Sequence, residues 1–382
     1  MLSKRSAVEP FRAMDVMSAA FALERQGRSI IHMEVGEPGA PTPRVVREAA
    51  MAAIASGRVR YTEALGTPAL RARIATHYAE RYGVAVSPER VVVATGSSAA
   101  FNLAFLAFFD PGDRIGMPTP GYPAYRNILA ALGLEVVEIP TGPETRWAVT
   151  PEMLAEIQRD RPLKGLIVAS PANPSGTMIQ PPALKALVES CDALGIRLIM
   201  DEIYHGLVYG GETATALAFT EQAVVVNSFS KYYCMTGWRV GWMVVPQPAV
   251  RAIECIAQNL SISVNSLSQT AALAAFDAVD ELELVKAGYA ANRELLLRRL
   301  PEAGLDDVLP VDGAFYIYAN VRKFTNDSMD FARRMLTEAG VATTPGLDFD
   351  PARGAGYIRL SFAGTTPEMD EAVTRIAGWI GR

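Results

Sequence analysis

Short apolar runs rich in β-branched residues alternate with longer segments of helical period through the first two-thirds of the chain. Such runs are typical of buried strands, and apolar residues recurring every three or four positions are typical of helices. The predicted strands are Val91–Ala94, Arg114–Met117, Glu135–Ile139, Leu166–Ala169, Arg197–Met200 and Ala223–Val226. The predicted helices between them include Ala99–Phe108, Ala124–Leu132, Pro151–Gln158 and Pro182–Leu194. This alternation predicts an α/β fold, with a mostly parallel sheet covered by helices on both faces.

The pattern changes after residue 230, where helices and isolated strands follow one another less regularly. The segments are predicted as helices at Val250–Asn259 and Ser268–Glu294, a strand at Ala314–Ala319, a helix at Ser328–Ala339 and a strand at Tyr357–Ser361. They indicate a smaller α+β unit. We therefore predict a large domain over residues 32–275, a smaller domain over 276–382, and an N-terminal segment, 1–31, that packs on the smaller domain.

Composition narrows the class of protein. Of 382 residues, 50% are hydrophobic and 20% charged, which is typical of a globular chain with a sizeable core. The net charge of −5 disfavours nucleic acid as the main partner. No apolar run approaches the roughly 20 residues that span a bilayer, and the N-terminus lacks the apolar core of a secretory signal. Three scattered cysteines fit reduced thiols, so we predict a cytoplasmic protein without a metal site.

Candidate chemistry follows the strands, because ligands of open α/β sheets bind beyond the carboxyl ends of the strands. The small residues Thr95–Ser98 suit an anion at a helix start, or simply a serine-capped helix. Asn173 lies in a turn with two prolines, where it is either a functional residue or an ordinary turn asparagine. Asp201 ends a buried strand and requires a partner, which is either a structural arginine or a cationic ligand atom.

The loop after the strand that ends at Val226 carries the most informative group, Lys231. Ser228 and Ser230 flank this lysine, and Arg239 follows it. A lysine can form a Schiff base with an aldehyde if its site lowers its usual pKa of about 10.4. The hydroxyls and the arginine can hold a phosphate. The alternative is a solvated surface lysine.

The sequence SFSKYYCMTGWRVG, over Ser228–Gly241, resembles the pyridoxal-phosphate lysine signature of class I/II aminotransferases, the fold type I group related to aspartate aminotransferase. Further segments match the same family in order along the chain: VGEPGAPTP (Val35–Pro43), YTEALGTPALR (Tyr61–Arg71), TGSSAAF (Thr95–Phe101), PGYPAY (Pro120–Tyr125), PANPSGT (Pro171–Thr177), DEIY (Asp201–Tyr204), GAFYIY (Gly313–Tyr318) and YIRLSFA (Tyr357–Ala363). The resemblance thus covers nearly the whole chain.

This resemblance implies pyridoxal phosphate as cofactor and a catalytic group of three residues. Lys231 is expected to form the Schiff base and then to shuttle the proton between the substrate Cα and the cofactor. Asp201 is expected to pair with the pyridine nitrogen, and Tyr204, with Asn173, to bind the ring's 3′ oxygen. Tyr122 is expected to stack on the ring, with Tyr125 as the alternative.

The resemblance also implies binding residues around these. The phosphate is expected among Gly96, Ser97, Ser98, Ser228, Ser230 and Arg239. Substrate binding is expected at Gly36, Asn173 and Arg359, with Arg359 clamping the α-carboxylate in a bidentate pair. In this family the tyrosine matching Tyr61 reaches the phosphate of the neighbouring subunit, which implies a homodimer with shared active sites. His205 is expected to be structural, since Lys231 already fills the proton-transfer role.

Two departures from the family pattern concern specificity. Gly39 and Ala40 replace an acidic-aromatic pair of many relatives, near the substrate entrance. Ser97 stands where some aspartate-specific bacterial relatives carry a lysine for a second carboxylate. The chain offers no obvious replacement cation, so a dicarboxylate-specific enzyme is disfavoured.

The resemblance therefore predicts an aminotransferase that moves an amino group between an L-amino acid and a 2-oxo acid in a ping-pong cycle, with glutamate and 2-oxoglutarate as the default pair. One alternative uses the same cofactor as a C–S β-lyase on cystathionine-like substrates. A second alternative is a cofactor-binding regulatory protein fused to a DNA-binding module. The acidic chain and the short segment before Val35 disfavour it.

Overall fold

The computed structural model describes residues 2–381. Its strands are β1 (Ile31–His32), β2 (Val91–Ala94), β3 (Arg114–Thr119), β4 (Glu135–Pro140), β5 (Gly165–Ala169), β6 (Arg197–Asp201), β7 (Val224–Ser228), β8 (Gly241–Val244), β9 (Tyr316–Asn320), β10 (Val341–Ala342), β11 (Thr344–Pro345) and β12 (Tyr357–Ser361). Its α-helices are α1 (Arg12–Glu24), α2 (Arg44–Ala55), α3 (Pro68–Tyr82), α4 (Gly96–Phe108), α5 (Pro123–Leu132), α6 (Pro151–Asp160), α7 (Pro181–Leu194), α8 (Val250–Ser261), α9 (Ser266–Ala275), α10 (Val279–Arg299), α11 (Ser328–Arg334) and α12 (Thr366–Ile380). None of these helices is long and apolar enough to cross a membrane.

Seven strands form the central sheet in the order β2-β8-β7-β6-β5-β3-β4. Strands β3 to β7 run parallel, and β8 is antiparallel to both of its neighbours. The predicted α/β fold with a mostly parallel sheet is confirmed. The parallel strands bring the ends of β5, β6 and β7 to one edge, where the residues that follow them meet.

Successive side chains of a strand point to opposite faces of the sheet, and in β2 the side chains on both faces are buried. In β2, Val91 and Val93 belong to one apolar cluster while Val92 and Ala94 belong to the other. A strand covered on both sides must be apolar throughout, which explains the unbroken β-branched runs of the sequence.

A three-stranded antiparallel sheet, β11-β12-β9, organises the C-terminal part with its own apolar cluster. Strand β1 pairs in parallel with β10 of this part, and α1 contacts β10 and β11. The division at residues 31 and 275 stays a prediction. Through these contacts the N-terminal segment, as far as His32, packs on the C-terminal unit.

Two predicted helices need correction. The single helix over 268–294 is wrong, because the chain turns at 276–278 between α9 and α10. Phe276 is buried there against Phe229, with the guanidinium of Arg73 over its ring at 4.4 Å. Phe276, at the start of this turn, packs into the core of the large sheet, and no proline or glycine marks the turn in the sequence. The helix predicted over 328–339 is α-helical only to Arg334 and continues as a π-helix over Met335–Ala339.

Candidate active site

A cavity of about 640 Å³ lies at the carboxyl ends of the parallel strands, between the central sheet, α1 and the C-terminal unit. Most residues that the sequence singles out line it. They are Gly36, Ser97, Ser98, Tyr122, Asn173, Asp201, Tyr204, Ser230, Lys231, Arg239 and Arg359. Residues distant in sequence thus converge on one space large enough for a cofactor and a substrate.

Three predicted residues do not line this cavity. Ser228 lies directly behind it, with its hydroxyl oxygen 2.9 Å from that of Ser230. Gly96 lies against Arg239, where a Cβ would overlap the guanidinium. Tyr61 is 80% exposed and lies outside the cavity of its own chain.

Lys231 projects into the cavity from the loop after β7. The loop is tightly built: the amide of Ser230 donates to the hydroxyl of Ser228 at 3.2 Å, and Met235 donates to the carbonyl of Phe229 at 3.1 Å. The lysine ammonium donates to the carbonyl of Gly36. Burial lowers the pKa of Lys231 to about 8, and the charge of Arg359 acts in the same direction. The amine is thus prepared for proton transfer or bond formation near neutral pH.

Asp201 ends β6 as a buried carboxylate facing the same cavity. Its Oδ1 accepts the amide of Ile203 at 3.0 Å, and its Oδ2 accepts the hydroxyl of Tyr125. Burial raises the pKa of Asp201 to about 6, while these two donors and the charge of Lys231 act against that rise. The sequence left open whether Asp201 pairs with a structural arginine or with a ligand atom. Its side-chain partner in the described chain is the hydroxyl of Tyr125.

Tyr204 lies in the turn after β6, with its hydroxyl 2.7 Å from that of Tyr316 on β9. Burial raises the pKa of Tyr204, so this hydroxyl keeps its proton and is able to donate it. Tyr316 is nearly fully buried, and a Cβ on Gly36 would collide with its hydroxyl. The glycine at position 36 is therefore required by close packing against Tyr316.

Arg359, on β12, is 1% exposed and forms the other end of the cavity. Its guanidinium donates to Oδ1 of Asn173 at 2.9 Å and to the hydroxyl of Thr344 at 3.1 Å, and it also donates to the carbonyl of Glu34. It lies over the ring of Tyr316 at 4.4 Å. Its Nε is buried without a hydrogen-bond partner among residues 2–381. The plane of this guanidinium is thus fixed, and its Nε–H donor remains unused.

The start of α4 lies at one corner of the cavity, beside Arg239. Gly96 has a φ of +73° and begins the helix, and Thr95 before it makes no side-chain cap hydrogen bond. The start of α4 is therefore not capped by a hydroxyl side chain, which rules out the alternative of a serine-capped helix. Free amide groups, the hydroxyls of Ser97 and Ser98, and the guanidinium of Arg239 suit an anion here.

Sequence reasoning missed the wall of the cavity that α1 supplies. Phe11, Met14 and Met17 line it, and the ring of Phe11 lies edge-on to Tyr122 with centroids 5.7 Å apart. Their spacing of three residues is a helical signal in the sequence. Only the fold shows which surface this helix covers.

Comparisons with known proteins agree with this geometry. The family model described as "Aminotransferase class I and II" matches residues 28–376. The chain belongs to the class I and II aminotransferase family. It is 51% identical over 380 residues to a valine–pyruvate aminotransferase of Mycobacterium tuberculosis, which covers 98% of this chain and 97% of that protein. An arginine–pyruvate transaminase of Pseudomonas aeruginosa is 32% identical over 98% of this chain and 96% of its own.

Among solved structures, aspartate aminotransferase of Thermus thermophilus with maleate superposes with a TM-score of 0.92 at 33% identity, covering 99% of both chains. The enzyme is thus an aminotransferase that moves an amino group between an amino acid and a 2-oxo acid. The alternative of a β-lyase is not favoured, since these relatives are named for amino transfer.

The family depends on pyridoxal phosphate, and the cavity fits this cofactor. An amine with a lowered pKa, a buried carboxylate and an uncapped helix start beside an arginine meet in it. These are the groups that an aldehyde, a ring nitrogen and a phosphate require.

Proposed function

We propose that this aminotransferase takes the amino group of a neutral branched aliphatic amino acid, of the valine class, and transfers it to pyruvate. The observation that carries the proposal is the charge of the cavity. Its positively charged lining residues are Lys231, Arg239 and Arg359. In this proposal they bind the cofactor aldehyde, the cofactor phosphate and the substrate α-carboxylate, respectively. Within the described part of the chain, no lining cation remains for a second carboxylate.

The shape of the cavity supports the same substrate class. Phe11, Met14, Met17 and Val35 present apolar surface, and the carboxylate of Glu37 also lines the cavity. An aliphatic side chain gains by leaving water for this wall, whereas a second carboxylate meets a like charge. The name of the relative that is 51% identical supports valine and pyruvate as the pair.

In this proposal the predicted site residues hold the cofactor. Lys231 would bind its aldehyde carbon, Asp201 its ring nitrogen, and Tyr204 with Asn173 its 3′ oxygen, while Tyr122 would stack on the ring. The phosphate would be bound by Gly96, Ser97, Ser98, Ser228, Ser230 and Arg239. When bound, pyridoxal phosphate accepts electrons from the substrate Cα and carries the amino group between the two half-reactions.

The protein's own groups then bind the substrate and move its proton. Arg359 holds the α-carboxylate in a plane set by Asn173 and Thr344, and Gly36 lets the backbone approach the substrate. Once the substrate amine has displaced it from the cofactor, Lys231 would carry the proton between the substrate Cα and the cofactor, for which its lowered pKa is suited. Asp201 remains charged opposite the ring nitrogen and stabilises a proton there.

We also propose a homodimer in which Tyr61 of each chain reaches the cavity of its partner. Tyr61 is 80% exposed beside Leu260 at 63% and Ile262 at 53%, and the amide of Thr62 joins these segments through the hydroxyl of Ser263 at 3.3 Å. An apolar surface of this kind is typical of an interface. Sedimentation of the purified protein tests this proposal, and a fully active monomer contradicts it. A cytoplasmic location stays a proposal, supported by three unpaired cysteines.

The experiment for the substrate is a panel of kcat/KM values with pyruvate and with 2-oxoglutarate as acceptors. The kcat/KM for valine with pyruvate should exceed that for aspartate with pyruvate by at least roughly tenfold. The reason is that aspartate loses an apolar contact and leaves its second carboxylate unpaired. Ser97→Lys, which adds a cation to the cavity, should reduce that ratio. An aspartate rate above that of valine in the wild type overturns the proposal.

A further inference from the structure

The carboxylate at the end of β6 has a protein donor on each of its two oxygens. The amide of Ile203 donates to Oδ1 at 3.0 Å, and the hydroxyl of Tyr125 donates to Oδ2. The amide belongs to the same turn and follows the backbone. The tyrosine comes from α5, 76 positions earlier in the chain, so only the tertiary structure brings it here.

The ring of Tyr125 is fixed by its neighbours. The residue is 3% exposed, and its ring lies edge-on to Phe101 at 5.1 Å and to Tyr122 at 5.2 Å between centroids. A ring held on two sides points its hydroxyl in one direction, which is toward Asp201. Tyr125 is therefore occupied by the carboxylate, which leaves Tyr122 to stack on a ligand ring.

We propose that Tyr125 is a positioning residue that sets the orientation of Asp201 toward the ring nitrogen of the cofactor. Each carboxylate oxygen has one protein donor and keeps a second lone pair, and the residue lines the cavity. This inference rests on the proposed role of Asp201 and adds a residue that acts through it.

The electrostatics of the site support this role. Burial raises the pKa of Asp201 to about 6, and hydrogen bonds to the charged form act against that rise, with Tyr125 the first of them. Loss of the hydroxyl would leave Oδ2 without its donor in a buried place. Loss of a hydrogen bond to a charged acceptor should weaken cofactor binding by roughly 10- to 100-fold.

The variant that tests the role is Tyr125→Phe, which keeps the ring and its packing against Phe101 and removes only the hydroxyl. Tyr78→Phe is the matched control. Tyr78 is 1% exposed on α3, and its hydroxyl accepts a hydrogen bond from Nε1 of Trp242 at 3.2 Å, outside the cavity. Both variants delete one buried hydroxyl, but only one of them touches Asp201.

The measurement is the rate at which the holoenzyme releases pyridoxal phosphate, followed by visible absorbance and circular dichroism of the bound cofactor. Tyr125→Phe should release it roughly 10- to 100-fold faster and lower kcat by roughly tenfold, with KM for valine changed less than roughly threefold. Tyr78→Phe should release it at the wild-type rate. A wild-type release rate in Tyr125→Phe overturns the proposal.

A double variant separates action through Asp201 from a general loosening of the site. In Asp201→Ala, adding Tyr125→Phe should change cofactor release by less than roughly threefold, because the partner of the hydroxyl is already gone. An undiminished effect in that background also overturns the proposal. Cofactor release does not depend on the amino donor, so a wrong substrate assignment would leave this result intact.

Discussion

The two halves of the active-site cavity are built in different ways. The sheet half consists of residues at strand ends and in the loops after them, such as Ser97, Asp201 and Lys231. The lid half consists of α1 and the C-terminal sheet, with Phe11 and Arg359. The sheet half is polar and charged, and each of its groups lies close to a strand end. The lid half is mostly apolar and is assembled from segments far apart in the chain.

This difference separates two tasks. Reaction chemistry is common to the family and is carried by short motifs, whereas the fit of the substrate side chain depends on how α1 and the C-terminal unit close over those motifs. Changes in the sheet half should therefore affect all substrates alike and strongly. Changes in the part of the lid half that faces the substrate side chain should be smaller and should depend on the substrate.

The largest effect is expected for Lys231→Ala, at the centre of the sheet half. Without this amine both the attachment of the cofactor and the proton transfer are lost, and kcat/KM should fall by roughly 10⁴-fold for every donor. Borohydride treatment of the wild type should fix the cofactor on Lys231, as peptide mapping would show. A label on Lys164 or Lys185 would contradict the assignment.

An intermediate effect is expected for Arg359→Lys, because Arg359 lies on a strand of the lid half but donates to Asn173 of the sheet half. Lysine keeps the charge but loses the planar fork that binds a carboxylate at two points. We expect kcat/KM to fall by roughly one to three orders of magnitude, by a similar factor for valine, alanine and phenylalanine. The ratio between donors is the readout, and a loss confined to one donor would place Arg359 with the side-chain pocket instead.

The smallest effect is expected for Asp348→Asn, which acts on the lid half alone. The buried carboxylate of Asp348 accepts the amides of Arg12 and Ala13, both at 3.2 Å, and so fixes the start of α1 over the cavity. In Asp348→Asn a side-chain NH2 replaces one of the two acceptors, and the loss of one such hydrogen bond is worth about 1 kcal/mol, so KM for valine should rise by up to roughly fivefold. KM for alanine, whose methyl group offers less apolar area to this wall, should change less than roughly twofold.

Glu9→Gln is the control for this last variant, since the Glu9 carboxylate pairs with Arg12 at 3.7 Å on the protein surface. It should leave both KM values unchanged, because exposed ion pairs contribute little. An equal rise of KM for alanine and valine in Asp348→Asn would show that the lid half does not discriminate between donors.

The sequence determined the fold class, the family, the cofactor and the reaction, and all of these are confirmed. Local rules explain the fold class and why the candidate residues share one edge of the sheet, whereas the family, the cofactor and the reaction came from the resemblance of short motifs to the class I/II aminotransferases. Buried strands require unbroken apolar runs, and the residues that follow parallel strands must share one edge of the sheet. The individual site roles, the domain bounds and the dimer stay predictions.

Tertiary structure alone decided the rest. The covering of the cavity depends on α1, and the partner of Asp201 is a tyrosine 76 positions away. Each of these is set by packing between distant segments, whose free energy depends on which surfaces meet. A periodic pattern records that a helix face is apolar, but it does not record what that face covers.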